Sequence, residues 1–299
     1  PTQAPTTTKD REIRLVLSRF IGEKVYEEGT PHHQAATWLV EEDPMQLSIT
    51  SGNFFQRYML AFFYFSTTNG GTTKWRSCGK ADEGEDDTCV FQEIKRDEND
   101  NIAFSPVPGR TRWLSGAFEC SWQGINCGPN PQSTTAFAIR LFGQNLTGTL
   151  PSELAKFPTL QSIALGYNDL RGTLPTEYAA MPYLGNLELH GNMLTGQIPE
   201  IYYEADGTLS NFNVGDNMLD GTISTQLGRL TGLKGYHLFQ NNFHGPIPTE
   251  IGKLRSLAFS RLGFNDFDGN IPTEIGRLTQ LNELWLQSTK MEGTIPSEI

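Results

Sequence analysis

At 299 residues, with 37% hydrophobic and 19% charged, the chain has enough apolar material for a core and fits one or two folded domains. Its formal charge is −11, and the acid excess runs throughout: residues 1–133 carry 13 Lys+Arg against 18 Asp+Glu, and residues 134–299 carry 10 against 16. No basic field exists for a phosphate backbone, so no nucleic-acid partner is expected.

The opening PTQAPTTT has no large apolar residue, and residues 1–10 read as a Thr/Pro-rich linker or stalk. The chain starts at Pro1 rather than Met, consistent with removal of a targeting segment. Residues 11–133 then read as a mostly helical region. Ile13, Val16, Leu17, Phe20 and Ile21 fall on one helical stripe. His32 to Glu42 predicts a second helix, ended before Pro44. Asn53 to Ser66 (NFFQRYMLAFFYFS) predicts a third, apolar nearly all round and so buried between neighbours. Its most apolar window, Tyr58 to Phe65, is far too short to span a bilayer, and Arg57 precedes it.

From residue 134 to 299 one pattern repeats. LTGTLP, LRGTLP, LTGQIP, LDGTIS, FHGPIP, FDGNIP and MEGTIP place glycines at 148, 172, 196, 221, 245, 269 and 293, spaced by 24, 24, 25, 24, 24 and 24 residues. Before each glycine stands the frame L-x-x-L-x-L-x-x-N-x-L, as in Leu184, Leu187, Leu189, Asn192 and Leu194. Its x-L-x-L-x centre alternates like a strand with one buried face, and a single coil cannot cover that face, so the coils must stack. The Asn column (Asn168, Asn192, Asn217, Asn241, Asn265) is expected inside the turn, its amides satisfying backbone groups that the bend leaves unpaired; Gln144 and Thr289 replace it in the outermost copies. Between Pro199 and Leu209 one extra residue (EIYYEADGT) predicts a local bulge on the convex side. A tolerated insertion is the simpler account, a contact feature the sharper one.

This frame resembles the leucine-rich-repeat family, and LxGxIPxE with a 24-residue period resembles its plant-specific class. The ordered set ATWLVEEDP, QRYMLAFFYFSTTNG and RWLSGAFECSWQGINC before the repeats resembles leucine-rich-repeat receptor-like proteins of diatoms and related algae. CSWQGINC is also similar to the CxWxGVxC cap of plant receptor-kinase ectodomains. The resemblance implies an α/β, right-handed solenoid of about seven coils with a concave parallel sheet, behind a helical, disulfide-containing capping region. It also implies that Cys120 and Cys127 bond, with Trp122 packed over the first coil, and that the protein is exported or at the cell surface, with a membrane tether outside this segment. The array reaches Ile299 without a capping repeat, so further coils are expected beyond it.

Four cysteines allow three pairings, of which Cys78–Cys89 and Cys120–Cys127 close the shortest loops. Spacings of 11 and 7 do not match zinc ligands, and disulfides fit an oxidising compartment. Asp82 to Asp87 lies inside the first of these loops; it lacks the order of an EF-hand and reads as a solvated acidic loop rather than a calcium site, as does Asp97 to Asn101. Asn145-Leu146-Thr147 is a glycosylation triplet. His32, His33, His190, His237 and His244 have poor ligand spacing, and no hydrolase, kinase or nucleotide motif is present, so no catalytic residue, metal or cofactor is expected.

Function is then expected on the concave face. Its outward positions read Arg140, Ala164, Glu188, Asn213, His237, Arg261, Trp285 and, next to them, Phe142, Gly166, His190, Gly215, Phe239, Gly263, Gln287. With Phe264, the residues Arg140, Glu188, His190, His237, Phe239, Arg261 and Trp285 form the candidate binding set for a protein, peptide or glycan ligand, aromatics and Arg being the usual interface anchors. A structural or adhesive extracellular scaffold is the alternative.

Overall fold

The computed structural model describes residues 7–75, 88–96, 102–117, 119–128, 135–204 and 208–299, with 88–96 and 102–110 described by their backbone only. The chain forms two compact units, Pro1–Phe157 and Pro158–Ile299. Among the described residues no helix is long and apolar enough to cross a membrane. Cys78 and the acidic runs 82–87 and 97–101 lie outside the described residues.

In the N-terminal unit, helix α1 (Thr8–Ile21) starts where the Thr7 hydroxyl accepts a bond from the Asp10 N–H, and stops at Gly22, whose φ of 84° suits glycine. Ile13 and Leu17 of its stripe are buried, but Phe20 is 60% exposed, against the sequence expectation. Helix α2 (Pro31–Thr37) is capped by Thr30 and runs into a π-helical turn, Trp38–Glu42, closed by the Asp43 N–H bonding the Trp38 carbonyl at 2.7 Å. Helix α3 (Phe54–Thr67) is buried nearly all round, as its sequence predicts. Within the region read as mostly helical, an antiparallel hairpin forms from β1 (Thr88–Arg96) and β2 (Ile102–Thr111).

The first repeat strand closes this unit. β3 (Ile125–Cys127) pairs antiparallel with β4 (Ala136–Arg140), and Cys120 and Cys127 are bonded with Cα atoms 5.5 Å apart. Gly124 makes the approach feasible: a Cβ there would lie 2.3 Å from the Arg140 carbonyl. Trp122 has no exposed surface, and its ring neighbours are Trp38 and Trp113, 6.2 and 5.4 Å away. Arg57 is the centre of this packing. Its guanidinium lies over the rings of both Trp38 (5.1 Å) and Trp122 (4.8 Å), is fully buried, and bonds Asp43, Glu119 and the carbonyls of Ser115 and Ala117. Asn53 donates to both Glu119 oxygens at 3.2 Å, and the Met45 N–H to Asp43. All three guanidinium nitrogens are engaged, which is the condition for a buried charge to be tolerated.

The second unit is built of repeats. Its strands in chain order are β5 (Ser162–Ala164), β6 (Arg171–Gly172), β7 (Asn186–Glu188), β8 (Met193–Gly196), β9 (Asn211–Asn213), β10 (Met218–Gly221), β11 (Gly235–His237), β12 (Asn242–Pro246), β13 (Phe259–Arg261), β14 (Asp266–Asp268) and β15 (Glu283–Trp285). The odd-numbered strands make one parallel sheet in sequential order and the even-numbered ones a second. Leu187, Phe212, Tyr236 and Ser260 point inward while their neighbours point out.

The asparagine column behaves as predicted. Asn217 donates to the Val214 carbonyl of its own coil and the Leu189 carbonyl of the one before (both 3.1 Å), and accepts from the Leu194 N–H at 2.9 Å. Asn192, Asn241 and Asn265 repeat the scheme. Thr289 reaches only its own coil, at the Leu286 carbonyl. The irregular coil closes with helix α4 (Ile201–Glu204), where Tyr202 fills the core position that Tyr178, Leu227, Ile251 and Ile275 fill elsewhere. The Tyr202 hydroxyl bonds the Pro175 carbonyl at 2.7 Å and Tyr203 meets the buried Tyr236 hydroxyl at 3.1 Å, so the inserted segment is anchored through its tyrosines.

Candidate functional site

The outward face of strands β5, β7, β9, β11, β13 and β15 gathers most of the predicted residues. Strand register sets Ala164, Glu188, Asn213, His237, Arg261 and Trp285 side by side in one row. Strands lie about 4.8 Å apart, so outward side chains of neighbouring coils stand side by side. A second row, Ser162, Asn186, Asn211, Gly235, Phe259 and Glu283, also faces outward. The sequence expectation covers only the positions after the first strand leucine and omits the one before it, although the same alternation points both ways.

The two ends of this face differ. Toward β5 the polar groups are bonded to one another. Asn186 donates to the Ser162 hydroxyl (2.9 Å), Asn211 to Asn186 (2.8 Å) and to Glu188 (3.3 Å), and Asn213 meets His190 at 3.1 Å. His190 is largely buried, with the Tyr167 ring edge-on at 4.7 Å.

Toward β15 the face is aromatic. Arg261 bonds Glu283 through Nε (2.6 Å) and Nη2 (3.2 Å) and lies over the Trp285 ring at 4.4 Å. Glu283 completes the arrangement and was not predicted. Phe239 lies where a Cβ on Gly215 would be, 2.3 Å from its ring, so that glycine is what lets it lie flat. Phe259 and Phe264 are 43% and 47% exposed. Burial, and then the Arg261 charge, push the His237 imidazole down to about 4, leaving it neutral at physiological pH.

Arg140 is exposed on β4, in the N-terminal unit, and Asn145 is exposed in the same coil with φ 59°. Among the described residues no three His, Cys, Asp or Glu gather closely enough to hold a metal ion. One acid–base row does exist: His32 joins the Tyr58 hydroxyl (2.8 Å) to Glu153 (3.1 Å). Tyr58 has no exposed surface and burial pushes its hydroxyl up, so the row presents no nucleophile to solvent.

No family model matches the chain, and no curated protein does. Solved structures do. The leucine-rich-repeat ectodomain of the Arabidopsis thaliana receptor kinase GASSHO1/SCHENGEN3, in complex with CASPARIAN STRIP INTEGRITY FACTOR 2, is 32% identical with a TM-score of 0.57, over 61% of this chain and 22% of that one. The ectodomain of the Arabidopsis receptor kinase HAESA, in complex with an IDA peptide hormone ligand, is 29% identical with a TM-score of 0.59, over 62% of this chain and 31% of that one. A plant ice-binding protein is 27% identical with a TM-score of 0.56, over 61% and 58%. The chain is a leucine-rich-repeat protein. It is similar to plant receptor-kinase ectodomains, and spans under a third of the length of these two receptors.

Proposed function

We propose that this chain is a non-catalytic, extracellular recognition module of a receptor-like protein, which binds a peptide or protein ligand on the outward, concave face of its repeat sheet. The observation that carries this is the aromatic and arginine cluster of Phe239, Phe259, Arg261, Phe264 and Trp285 on one exposed sheet face. Large aromatics and Arg on a rigid surface are what binding anchors are made of, and a pre-formed sheet orders little on binding. Two of the similar ectodomains are receptors solved with a bound partner, which supports the reading; the similarity to an ice-binding protein shows that the fold by itself does not carry function.

In this reading Glu188, His190, His237, Phe239, Arg261, Phe264 and Trp285 line the binding face, and Arg140, on β4 of the N-terminal unit, is a further candidate contact. Residues 11–133 are the cap and 134–299 the repeats of the plant-specific LxGxIPxE class, with Asn145 carrying a glycan and a second disulfide joining Cys78 and Cys89. Peptide and glycan arrays probed with the wild type, Trp285→Ala and Arg261→Ala test it. The expected result is one ligand class bound, and lost in both variants. A protein that binds nothing and polymerises instead would replace the receptor reading with that of an adhesive scaffold.

A further inference from the structure

The binding face is not uniform in charge, and that difference narrows the ligand. Arg261 is the natural candidate to catch an acidic group, but it is already committed. Two of its nitrogens hold Glu283, and one face of the guanidinium rests on Trp285. A ligand carboxylate brought to Arg261 would share it with Glu283 at close range, inside a chain of net charge −11. The strands of this face carry one further charge, Glu188, which has no ion-pair partner among the described residues. The uncompensated charge is acidic.

The amides offer little to a newcomer, because Ser162, Asn186, Asn211, Asn213 and His190 are bonded among themselves. The exception is His237, whose buried Nδ1 has no hydrogen-bond partner among the described residues; the large side chains this face leaves exposed are apolar, Phe259 at 43% and Phe264 at 47%. Phe264 is held at φ 57°, a left-handed backbone that bulky residues rarely adopt. The same backbone position is Gly143, Tyr167, Gly191, Asp216, Gln240 and Ser288 in the other coils, so the fold needs the turn there but not a phenylalanine.

Resting on the receptor-like reading above, we infer that the segment seated on this face is an apolar peptide stretch free of acidic side chains, anchored on Phe259, Phe264 and the Arg261–Trp285 stack, with any charge it bears basic. Arg261 then serves as half of a neutral platform and not as an anion receptor.

The test is selection of a displayed library of random linear peptides on the full chain, followed by affinity measurement of the enriched peptides. Wild type should enrich aromatic or aliphatic anchors with Lys or Arg and deplete Asp and Glu, with Phe259→Ala and Phe264→Ala each weakening binding about tenfold or more. Asn186→Ser should change it less than about threefold. Glu283→Gln frees the Arg261 charge and should shift the enriched pool toward acidic peptides. Enrichment of acidic peptides by wild type, lost in Arg261→Ala, would overturn this inference while leaving the receptor reading intact, as would binders indifferent to both phenylalanines. If no peptide is enriched at all, the receptor reading falls and this inference with it.

Discussion

The N-terminal unit and the repeat unit face the same problem, the satisfaction of polar groups inside a core, and solve it in opposite ways. In the repeats, the asparagines of successive coils make the same bonds, shared between adjacent coils. In the N-terminal unit, one guanidinium joins an acid 14 residues upstream, an acid 62 residues downstream and two carbonyls between two tryptophans. The periodic solution spreads loss over many equivalent bonds, whereas the single knot concentrates it. That contrast can be broken experimentally.

The largest effect is expected at Arg57. Arg57→Met leaves Asp43 and Glu119 as two buried carboxylates with no cation, and should cost about 3–5 kcal/mol. Chemical denaturation followed by tryptophan fluorescence reads it, since Trp38 and Trp122 report directly on this site. A loss below about 1 kcal/mol would mean that water or rearrangement satisfies the pair. Next comes the staple: Cys120→Ser with Cys127→Ser removes a short closed loop and should cost about 2–3 kcal/mol, mostly by freeing the unfolded chain. The double variant should also increase amide exchange along β3 and β4, leaving β11 to β13 unchanged.

Within the repeats the expected effects are smaller and graded by position. Asn241→Ala orphans the Leu219 N–H and leaves the Val214 and Leu238 carbonyls to Asn217 and Asn265 alone, and should cost about 1–3 kcal/mol, whereas Thr289→Ala, which removes one bond at the last coil, should cost under about 1 kcal/mol. Equal losses at the two sites would contradict the shared-bond account of the column.

What is legible in the sequence follows the same division. Each asparagine's partners lie at a fixed distance along the chain, so the stacking, the inward leucines and the outward row from Glu188 to Trp285 all follow from the 24-residue period. Arg57's partners obey no period, and the sequence offers only an arginine at the head of an apolar helix. The β1–β2 hairpin is hidden in part by Pro106 and Pro108, which cannot donate to a ladder and argue against a strand. Glu283 and Phe259 escape notice although periodic, because the leucine frame draws attention to positions on one side of it. Phe20 shows the reverse error: it sits on the helical stripe, yet the stripe is buried only at Ile13 and Leu17.

The smallest expected effect lies where the N-terminal unit meets its own first coil. Glu153 accepts from His32, which holds its carboxyl down at about 2, with Lys24 assisting at 3.8 Å and burial opposing. A carboxyl depressed in the folded state stabilises it above the unfolded value near 4.5, and that stability disappears as pH falls from about 5 toward 2. Because the carboxylate keeps some exposure, the contribution is about 1 kcal/mol once solvent screening is allowed for. Glu153→Gln keeps an oxygen for His32 but cannot titrate. The stability gap between wild type and this variant, measured by denaturation at each pH, should be open at pH 7 and close between about pH 5 and 2. A gap that stays constant through that window would show that the hydrogen bond, and not the negative charge, is what Glu153 supplies, and so that this contact resembles the neutral ladder of the repeats more than the ionic knot around Arg57.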